Sequence, residues 1–211
     1  MVDIQTIEDY VRRVLPPEPT GHDWPHAFRV RDTAVYISGR EGADIYVVER
    51  AALLHDVDDA KFSGDENGPG NAAKKYLCGK ESENVVDHVV AILDNMSYHG
   101  VGVPDTGVSL EGDCVQDADR IDAIGPIGIA RVFAYGASRD RLIYDPEITS
   151  VIHDSPESYR STIGTSLNHF FEKLLHLKDR MRTNTGKELA EPLHEYMQEY
   201  VNRFLEQWEG I

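Results

Sequence analysis

The ten residues from Ala51 to Ala60, A-A-L-L-H-D-V-D-D-A, constrain this chain more than any other stretch. An apolar run of helical character ends there in His55 and Asp56. Burying an imidazole and a carboxylate at the end of an apolar segment costs free energy unless a charge compensates them. A metal ion would compensate them, because its ligands are these residue types in deprotonated form. The alternative is a surface helix end, where acidic residues are common.

The His55–Asp56 pair does not make a metal site unaided. Successive residues of a helix point about 100° apart, so two adjacent side chains cannot enclose an ion. The remaining ligands must come from elsewhere in the chain. The nine histidines do not by themselves identify them.

Length and composition narrow the class of protein. A chain of 211 residues can bury a sizeable core. It contains no run approaching the ~18 to 20 apolar residues of a membrane span, and its N-terminus lacks the basic and apolar segments of a secretory signal. Cys78 and Cys114 are too few for a disulfide framework or a cysteine-based zinc site. We therefore expect a cytoplasmic protein.

The charge balance limits the partners. With 21 basic and 37 acidic residues, the formal net charge is −16. This argues against a nucleic-acid polymer or an anionic membrane as partner, because both select a basic surface. Small phosphorylated substrates stay open, since a bound cation reverses the local electrostatic field.

Apolar residues recur at helical spacing through most of the chain, and no stretch shows strand alternation, so the pattern predicts an all-α fold. Helices are expected at about 3–15, 24–39, 45–57, 71–77, 81–96, 114–121 and 126–136. Two long helices follow in the last third. Apolar residues from Leu167 to Met181 define the first, and a Thr185-x-x-Glu188 capping box opens the second. Pro192 falls inside the second helix and should bend it, without an evident role.

Two further donors come from other predicted helices. Asp23 is a plausible N-cap, Pro25 is tolerated in a first turn, and His26 follows where the helix dipole favours a neutral imidazole. A neutral ring is what a cation requires. Asp119 lies beside the apolar stripe of a later helix.

His26, the His55–Asp56 pair and Asp119 thus occur in the order H…HD…D, and here the chain resembles the HD-domain metal-dependent phosphohydrolases. Longer motifs are similar to one bacterial and fungal subfamily: G-H-D-W-x-H-x-x-R-V, L-L-H-D-V-D-D-A-K-F, D-A-D-R-I-D-A-I-G and N-H-F-F-E-K-L-L-H-L-K-D-R-M-R-T. The resemblance covers nearly the whole chain. It implies a helical HD-domain bundle over residues 1–211, with a metal-binding core at about 20–136 and C-terminal helices at about 160–209 packed on it.

The resemblance implies that one divalent cation is bound by four residues, His26, His55, Asp56 and Asp119. Two imidazoles and two carboxylates suit transition metals better than Ca²⁺, which prefers all-oxygen ligands. Mn²⁺ is the first expectation, with Fe²⁺, Co²⁺, Ni²⁺, Zn²⁺ or Mg²⁺ as alternatives. An octahedral shell leaves positions for a water and a phosphoryl oxygen, so that the cation can acidify the one and polarise the other.

The same resemblance suggests a role for Asp59, and residue chemistry suggests roles for Lys61 and His22. Asp59 is assigned as general base or water-orienting group, against the alternative of a solvated carboxylate. Lys61 and His22 are assigned to substrate binding, against the alternative of a solvated lysine and a loop histidine. His88 or His99 would support a second metal, although a core or rim histidine is the preferred interpretation of each.

The expected activity is hydrolysis of a small phosphate ester or anhydride. Within the subfamily, the resemblance suggests a nucleotide, and in particular cleavage of a nucleoside triphosphate to monophosphate and pyrophosphate, with a nucleotidase as the alternative. Two other classes stay open: a di-iron oxygenase of the same fold, and a non-catalytic HD module that binds a metal, ligand or partner. A homodimer is among the assemblies considered.

Overall fold

The computed structural model describes residues 1–57, 70–96, 107–151 and 164–211. All regular structure in these ranges is helical, which confirms the all-α prediction. The described residues form the α-helices α1 (Ile4–Val14), α2 (Trp24–Glu41), α3 (Ile45–Leu54), α4 (Gly70–Leu77), α5 (Glu83–Asp94), α6 (Leu110–Asp122), α7 (Gly125–Ser138), α8 (Asn168–Glu172) and α9 (Asn184–Trp208). Two 3₁₀ turns lie at Leu174–His176 and Lys178–Arg180. Within the same ranges, no helix is both long and apolar enough to cross a membrane.

The backbone packing divides the chain into two compact units. The first contains the described residues up to 96 together with 107–119. The second contains 120–151 and 164–211. The expectation of one HD domain over residues 1–211 stays a prediction.

The first unit is organised around the packing of α2 on α3. Val30, Ala34, Ala51 and Leu54 are fully buried, so small and branched side chains fill the contact. The two helices run antiparallel, and His26 in the first turn of α2 meets His55 at the end of α3. The apolar contact therefore brings two imidazoles together.

The start of α2 is determined locally. The carboxylate of Asp23 accepts a hydrogen bond from the backbone N–H of His26, and Pro25 occupies the first turn. This confirms the predicted N-cap. The helix ends at Gly42, whose φ of 79° lies in the left-handed region that glycine adopts without strain. Asp44 then caps α3 by accepting from the N–H of Tyr46.

The predicted end of α3 is wrong by three residues. The helix stops at Leu54 rather than Val57. The His55 ring donates from Nδ1 to the carbonyl of Ala52 at 2.7 Å, and a continuing helix would need that carbonyl for the N–H of Asp56. After Leu54 the chain makes a tighter turn, in which the N–H of Val57 donates to the Leu54 carbonyl.

The second unit has an aromatic core. The ring of Phe133 from α7 lies 6.0 Å from that of Phe170 and 6.2 Å from that of Phe204, centroid to centroid. Gly125 begins α7 with a φ of 67°, and a Cβ built there would lie 2.7 Å from Leu193 Cδ2. Glycine is therefore required at that position for both backbone and packing reasons.

The predicted long helix over Leu167 to Met181 is wrong. The chain instead forms α8 and the two 3₁₀ turns, although Leu167, Leu174 and Met181 are buried as expected. The His176 ring donates from Nε2 to the Phe171 carbonyl, a group that a continuous helix would use for its own ladder. Side-chain competition and a three-residue apolar spacing both favour 3₁₀ turns here.

The start of α9 also differs from the prediction. Thr183, not Thr185, is the N-cap, and its hydroxyl accepts from the N–H of Gly186 at 2.8 Å. The observed cap lies two residues before the predicted one, and the third residue after it is Gly186, which has no side chain to complete a capping box. Pro192 lies inside α9, as predicted from the sequence.

Candidate metal centre

The four predicted ligands lie together in the first unit. The Nε2 atoms of His26 and His55 are 3.1 Å apart. From His26 Nε2 it is 3.3 Å to Asp56 Oδ2 and 3.5 Å to Asp119 Oδ1. From His55 Nε2 it is 3.6 Å to Asp56 Oδ1 and 3.8 Å to Asp119 Oδ1. The residues come from the start of α2, the end of α3 and the interior of α6.

The tautomer of His55 follows from its hydrogen bond. Nδ1 lies 2.7 Å from the Ala52 carbonyl, so Nδ1 carries the proton and donates it. With Nδ1 protonated in this way, Nε2 is the ring nitrogen left to face a cation. A backbone carbonyl that orients the ring in this way is the usual partner of a metal-binding histidine.

Both carboxyl groups are held in the ionised form. Burial alone would raise the pKa of Asp56, but the neighbouring imidazoles of His55, His22 and His26 hold that pKa well below its usual range. Burial likewise opposes ionisation of Asp119, and hydrogen bonding to His26 with the charge of His55 lowers its pKa strongly. Carboxylates that stay ionised at neutral pH are what a cation requires.

The spacing of the donor atoms suits a single small cation. Ligand bonds of about 2.1 Å at right angles separate adjacent ligand atoms by about 3.0 Å. Five of the six pairs among the four side chains approach to between 3.1 and 3.8 Å, with Asp56 using a different oxygen toward each histidine. Two three-residue donor groups share His26: one with His55 and Asp119, the other with His22 and Asp56. The donor set and its spacing therefore fit a transition-metal ion.

His22 lies at the edge of this donor cluster. Its Nδ1 is 3.4 Å from Asp56 Oδ2, and 26% of its side chain is exposed. Its assignment to substrate binding stays a prediction, because the same position also suits a metal ligand. The ring is thus placed where it can contact both the carboxylate and a ligand from solvent.

Nothing in the sequence pattern marked Glu18, which shapes the loop before His22. Its carboxylate accepts from the Thr20 N–H at 3.1 Å, from the Thr20 hydroxyl, and from the backbone N–H of His22. Burial acts to raise the pKa of Glu18, but these hydrogen bonds together lower it below its ordinary value. The Pro and the Gly in the motif E-P-T-G-H indicate a turn, but they do not indicate which side chain accepts its backbone hydrogen bonds.

Of the other four residues singled out from the sequence, the structure describes His88 alone. Asp59, Lys61 and His99 lie outside the described residues, so their roles stay predictions. His88 hydrogen-bonds the Ser109 hydroxyl at 2.9 Å and lies 3.5 Å from Glu111 Oε2. Neither donor group found among the described residues includes His88.

Comparison with known proteins adds three kinds of similarity. The HD domain profile matches residues 24–124, a range that contains all four proposed ligands. The chain is 37% identical to the uncharacterised protein YpgQ of Bacillus subtilis, over 98% of this chain and 94% of YpgQ. A crystal structure of YpgQ in complex with ADP superposes with a TM-score of 0.76, at 37% identity over 97% of this chain and 93% of that one.

Two other crystal structures are similar over their full length. A protein from Lactobacillus plantarum has a TM-score of 0.87 and 35% identity, with 100% of both chains covered. An HD-superfamily hydrolase from Bacillus thuringiensis has a TM-score of 0.76 and 39% identity, over 99% of this chain and 97% of that one. Fold, helix order and chain length are therefore shared across the set.

Proposed function

Because this chain belongs to the HD-domain family, we propose that it is a divalent-metal-dependent phosphohydrolase that acts on nucleoside triphosphates. The observation that carries the proposal is the convergence of two imidazoles and two carboxylates within 3.8 Å, measured from the Nε2 atoms of His26 and His55. Such a mixed nitrogen and oxygen donor set is typical of hydrolytic metal centres.

His26, His55, Asp56 and Asp119 would hold the cation, with Mn²⁺ as the first candidate. When bound, a divalent ion lowers the pKa of water and withdraws charge from a phosphoryl oxygen. The protein contributes the orientation: the Ala52 carbonyl holds the His55 ring, and the Asp23 cap positions the first turn of α2 that carries His26. The N-terminal end of α2 adds a partial positive charge beside the donors.

The predicted roles of the neighbouring residues complete the proposal. Asp59, three residues after Asp56 in the sequence, would accept the proton of the attacking water. Lys61 would pair with a phosphate oxygen. His22, which is partly exposed and faces Asp56, would contact the phosphate from the side of the α2 start.

A nucleotide is the preferred substrate class for two reasons. YpgQ, a relative of this chain over nearly its whole length, was crystallised in complex with ADP. The net charge of −16 repels a polyanionic polymer, whereas a small triphosphate can be held by the cation and a few basic groups. The resemblance to the nucleotide-cleaving subfamily favours attack at the α-phosphorus, which yields a monophosphate and pyrophosphate.

The direct test is turnover of a nucleoside triphosphate panel by purified protein, first stripped of metal by a chelator and then supplied with one divalent ion at a time. We expect metal-dependent release of pyrophosphate, with Mn²⁺ most effective. Asp56→Asn should abolish turnover, and His88→Ala, outside the donor cluster, should retain it. Failure to cleave any phosphate ester or anhydride with any of these ions would overturn the proposal, as would two bound irons and O₂ consumption.

A further inference from the structure

Glu18 lies in the loop that leads into α2, and its side chain is not among the proposed metal ligands. Prolines precede and follow it, in the sequence P-P-E-P-T-G-H. A proline lacks an N–H and restricts the backbone of the residue before it to extended conformations. Pro19 therefore limits the backbone of Glu18, and the first N–H that follows Glu18 in the chain belongs to Thr20.

The carboxylate of Glu18 is the hydrogen-bond acceptor of this loop. It accepts from the Thr20 N–H at 3.1 Å, from the Thr20 hydroxyl at 2.6 Å, and from the backbone N–H of His22. Gly21, between these two residues, has a φ of 77°, in the left-handed region that favours glycine. Among the described residues, every hydrogen-bond partner of the Glu18 side chain lies within this loop, so the carboxylate determines the path of the chain up to His22.

The His22 ring lies at the donor cluster, although His22 itself precedes the first residue of α2. Its Nδ1 is 3.4 Å from Asp56 Oδ2, and its ring centroid is 5.7 Å from that of His26. Asp23 holds the backbone N–H of His26 in the first turn of α2. Glu18 provides the same kind of bond for His22, which lies outside the helix. Two carboxylates therefore fix the backbone of two neighbouring histidines.

We propose that Glu18 is a positioning residue, which holds the backbone of His22 so that the ring stays beside Asp56 and contacts the phosphate of the substrate. The inference rests on the proposed function and deepens it. Without this hydrogen bond the loop would have many conformations, because Gly21 restricts the backbone less than any other residue type. Displacing a binding group by about 1 Å can cost as much as about 100-fold in rate, so a residue outside the donor cluster affects turnover.

A double-mutant cycle tests whether Glu18 acts through His22. At saturating Mn²⁺, His22→Ala should lower kcat/KM for a nucleoside triphosphate roughly 10- to 100-fold, mainly through KM. Glu18→Ala should lower it about tenfold, and Glu18→Gln, whose amide oxygen still accepts from a backbone N–H, about threefold or less. In the double variant, the loss should equal that of His22→Ala within about twofold. Losses that multiply, or an unchanged kcat/KM in His22→Ala, would overturn the inference.

Asp145→Ala is the matched control. The Asp145 carboxylate accepts from the N–H of Glu147 at 2.9 Å, as that of Glu18 accepts from Thr20, but in a loop of the second unit. We expect kcat/KM in this variant to stay within about twofold of the unchanged protein. An equal loss in Asp145→Ala and Glu18→Ala would assign both effects to loop stability and overturn the inference.

A measurement without substrate separates this inference from the proposed function. In proton–nitrogen correlation NMR spectra of the imidazole rings, the His22 signals are identified by their loss in His22→Ala. Glu18→Ala should shift these signals and leave those of His88 unchanged. Unshifted His22 signals would refute the inference. Shifted signals in a protein that cleaves no phosphate compound would support the positioning of His22 and refute only the hydrolase proposal.

Discussion

Two polar clusters of the first unit satisfy their charges in opposite ways. In the first, Arg50 donates from Nε to Glu81 at 2.9 Å and from its Nη atoms to the carbonyls of Tyr46 and Val2. Glu81 in turn accepts from the Tyr46 hydroxyl and the Val2 N–H. Both charged side chains are almost inaccessible, at 3% and 1% exposure. This cluster carries its own counterion.

The donor cluster of His26, His55, Asp56 and Asp119 is built differently. Two imidazole nitrogens and two carboxylates meet there, at 3.1 to 3.5 Å from His26 Nε2, and all four are groups that bind metal ions. Two adjacent ionised carboxylates need positive charge, which a bound metal ion can supply while the imidazoles coordinate it as neutral ligands. The Arg50–Glu81 cluster is therefore neutralised by its own side chains, whereas the donor cluster is arranged to bind a cation.

The largest expected effect comes from removing a donor. His55→Ala takes away one imidazole and should lower kcat/KM for a nucleoside triphosphate by more than about 100-fold, together with bound metal. Metal content by elemental analysis and turnover of the same preparation would check this. His88→Ala is the control. Full metal content in His55→Ala would contradict the assignment of His55 as a metal ligand.

Breaking the self-sufficient cluster should affect stability rather than activity. Arg50→Met leaves Glu81 buried without its counterion and should cost about 3 kcal/mol of unfolding free energy. A Trp208→Phe background leaves Trp24 as the only tryptophan, so urea unfolding by fluorescence reports on the first unit. Turnover per folded molecule should stay the same. Gln5→Met, which removes the exposed hydrogen bond to Asp9, is the matched control and should cost only a few tenths of a kcal/mol.

Two N-caps of the first unit allow a finer comparison. Asp23→Ala and Asp44→Ala should each cost about 1 kcal/mol, because each removes an acceptor for an N–H in the first turn of a helix. Of these two helices, only α2 carries a proposed metal ligand in its first turn, namely His26. Metal affinity, measured by competition with a chromogenic chelator, should therefore fall about tenfold in Asp23→Ala and not in Asp44→Ala. Equal losses of metal affinity in both variants would contradict this prediction.

The smallest expected effect is a pH dependence of stability from Glu81. Burial acts to raise the pKa of Glu81, but hydrogen bonds from Tyr46 and Arg50 outweigh it and lower the pKa from its usual 4.5. A lowered folded-state pKa means that the unfolded chain binds the proton more tightly, so this stabilisation is present above about pH 4.5 and is lost as the pH falls through the folded-state value. Urea unfolding from about pH 6 to about pH 3.5 should show a smaller decline in Glu81→Gln than in the unchanged protein. Parallel curves would contradict the assignment.

Much of the fold could be predicted because its signals are local. The N-cap at Asp23 depends on a carboxylate three residues before an N–H, and most helices follow from apolar residues at helical spacing. The errors fall where a side chain competes with the backbone. His55 takes the Ala52 carbonyl and ends α3, and His176 takes the Phe171 carbonyl in the region predicted as one helix. The spacing of apolar residues does not predict such hydrogen bonds between side chains and backbone carbonyls.

Most helices and the side chains able to bind a cation could be recognised from short stretches of sequence, because periodicity, caps and residue chemistry act over a few neighbouring positions. Only the tertiary structure decided which of these groups meet. It joined Arg50 to Glu81 across 31 residues, and it placed His22 beside Asp56 across 34. Such pairings depend on how helices pack, which is a sum over many distant contacts, so no short stretch of the chain specifies them.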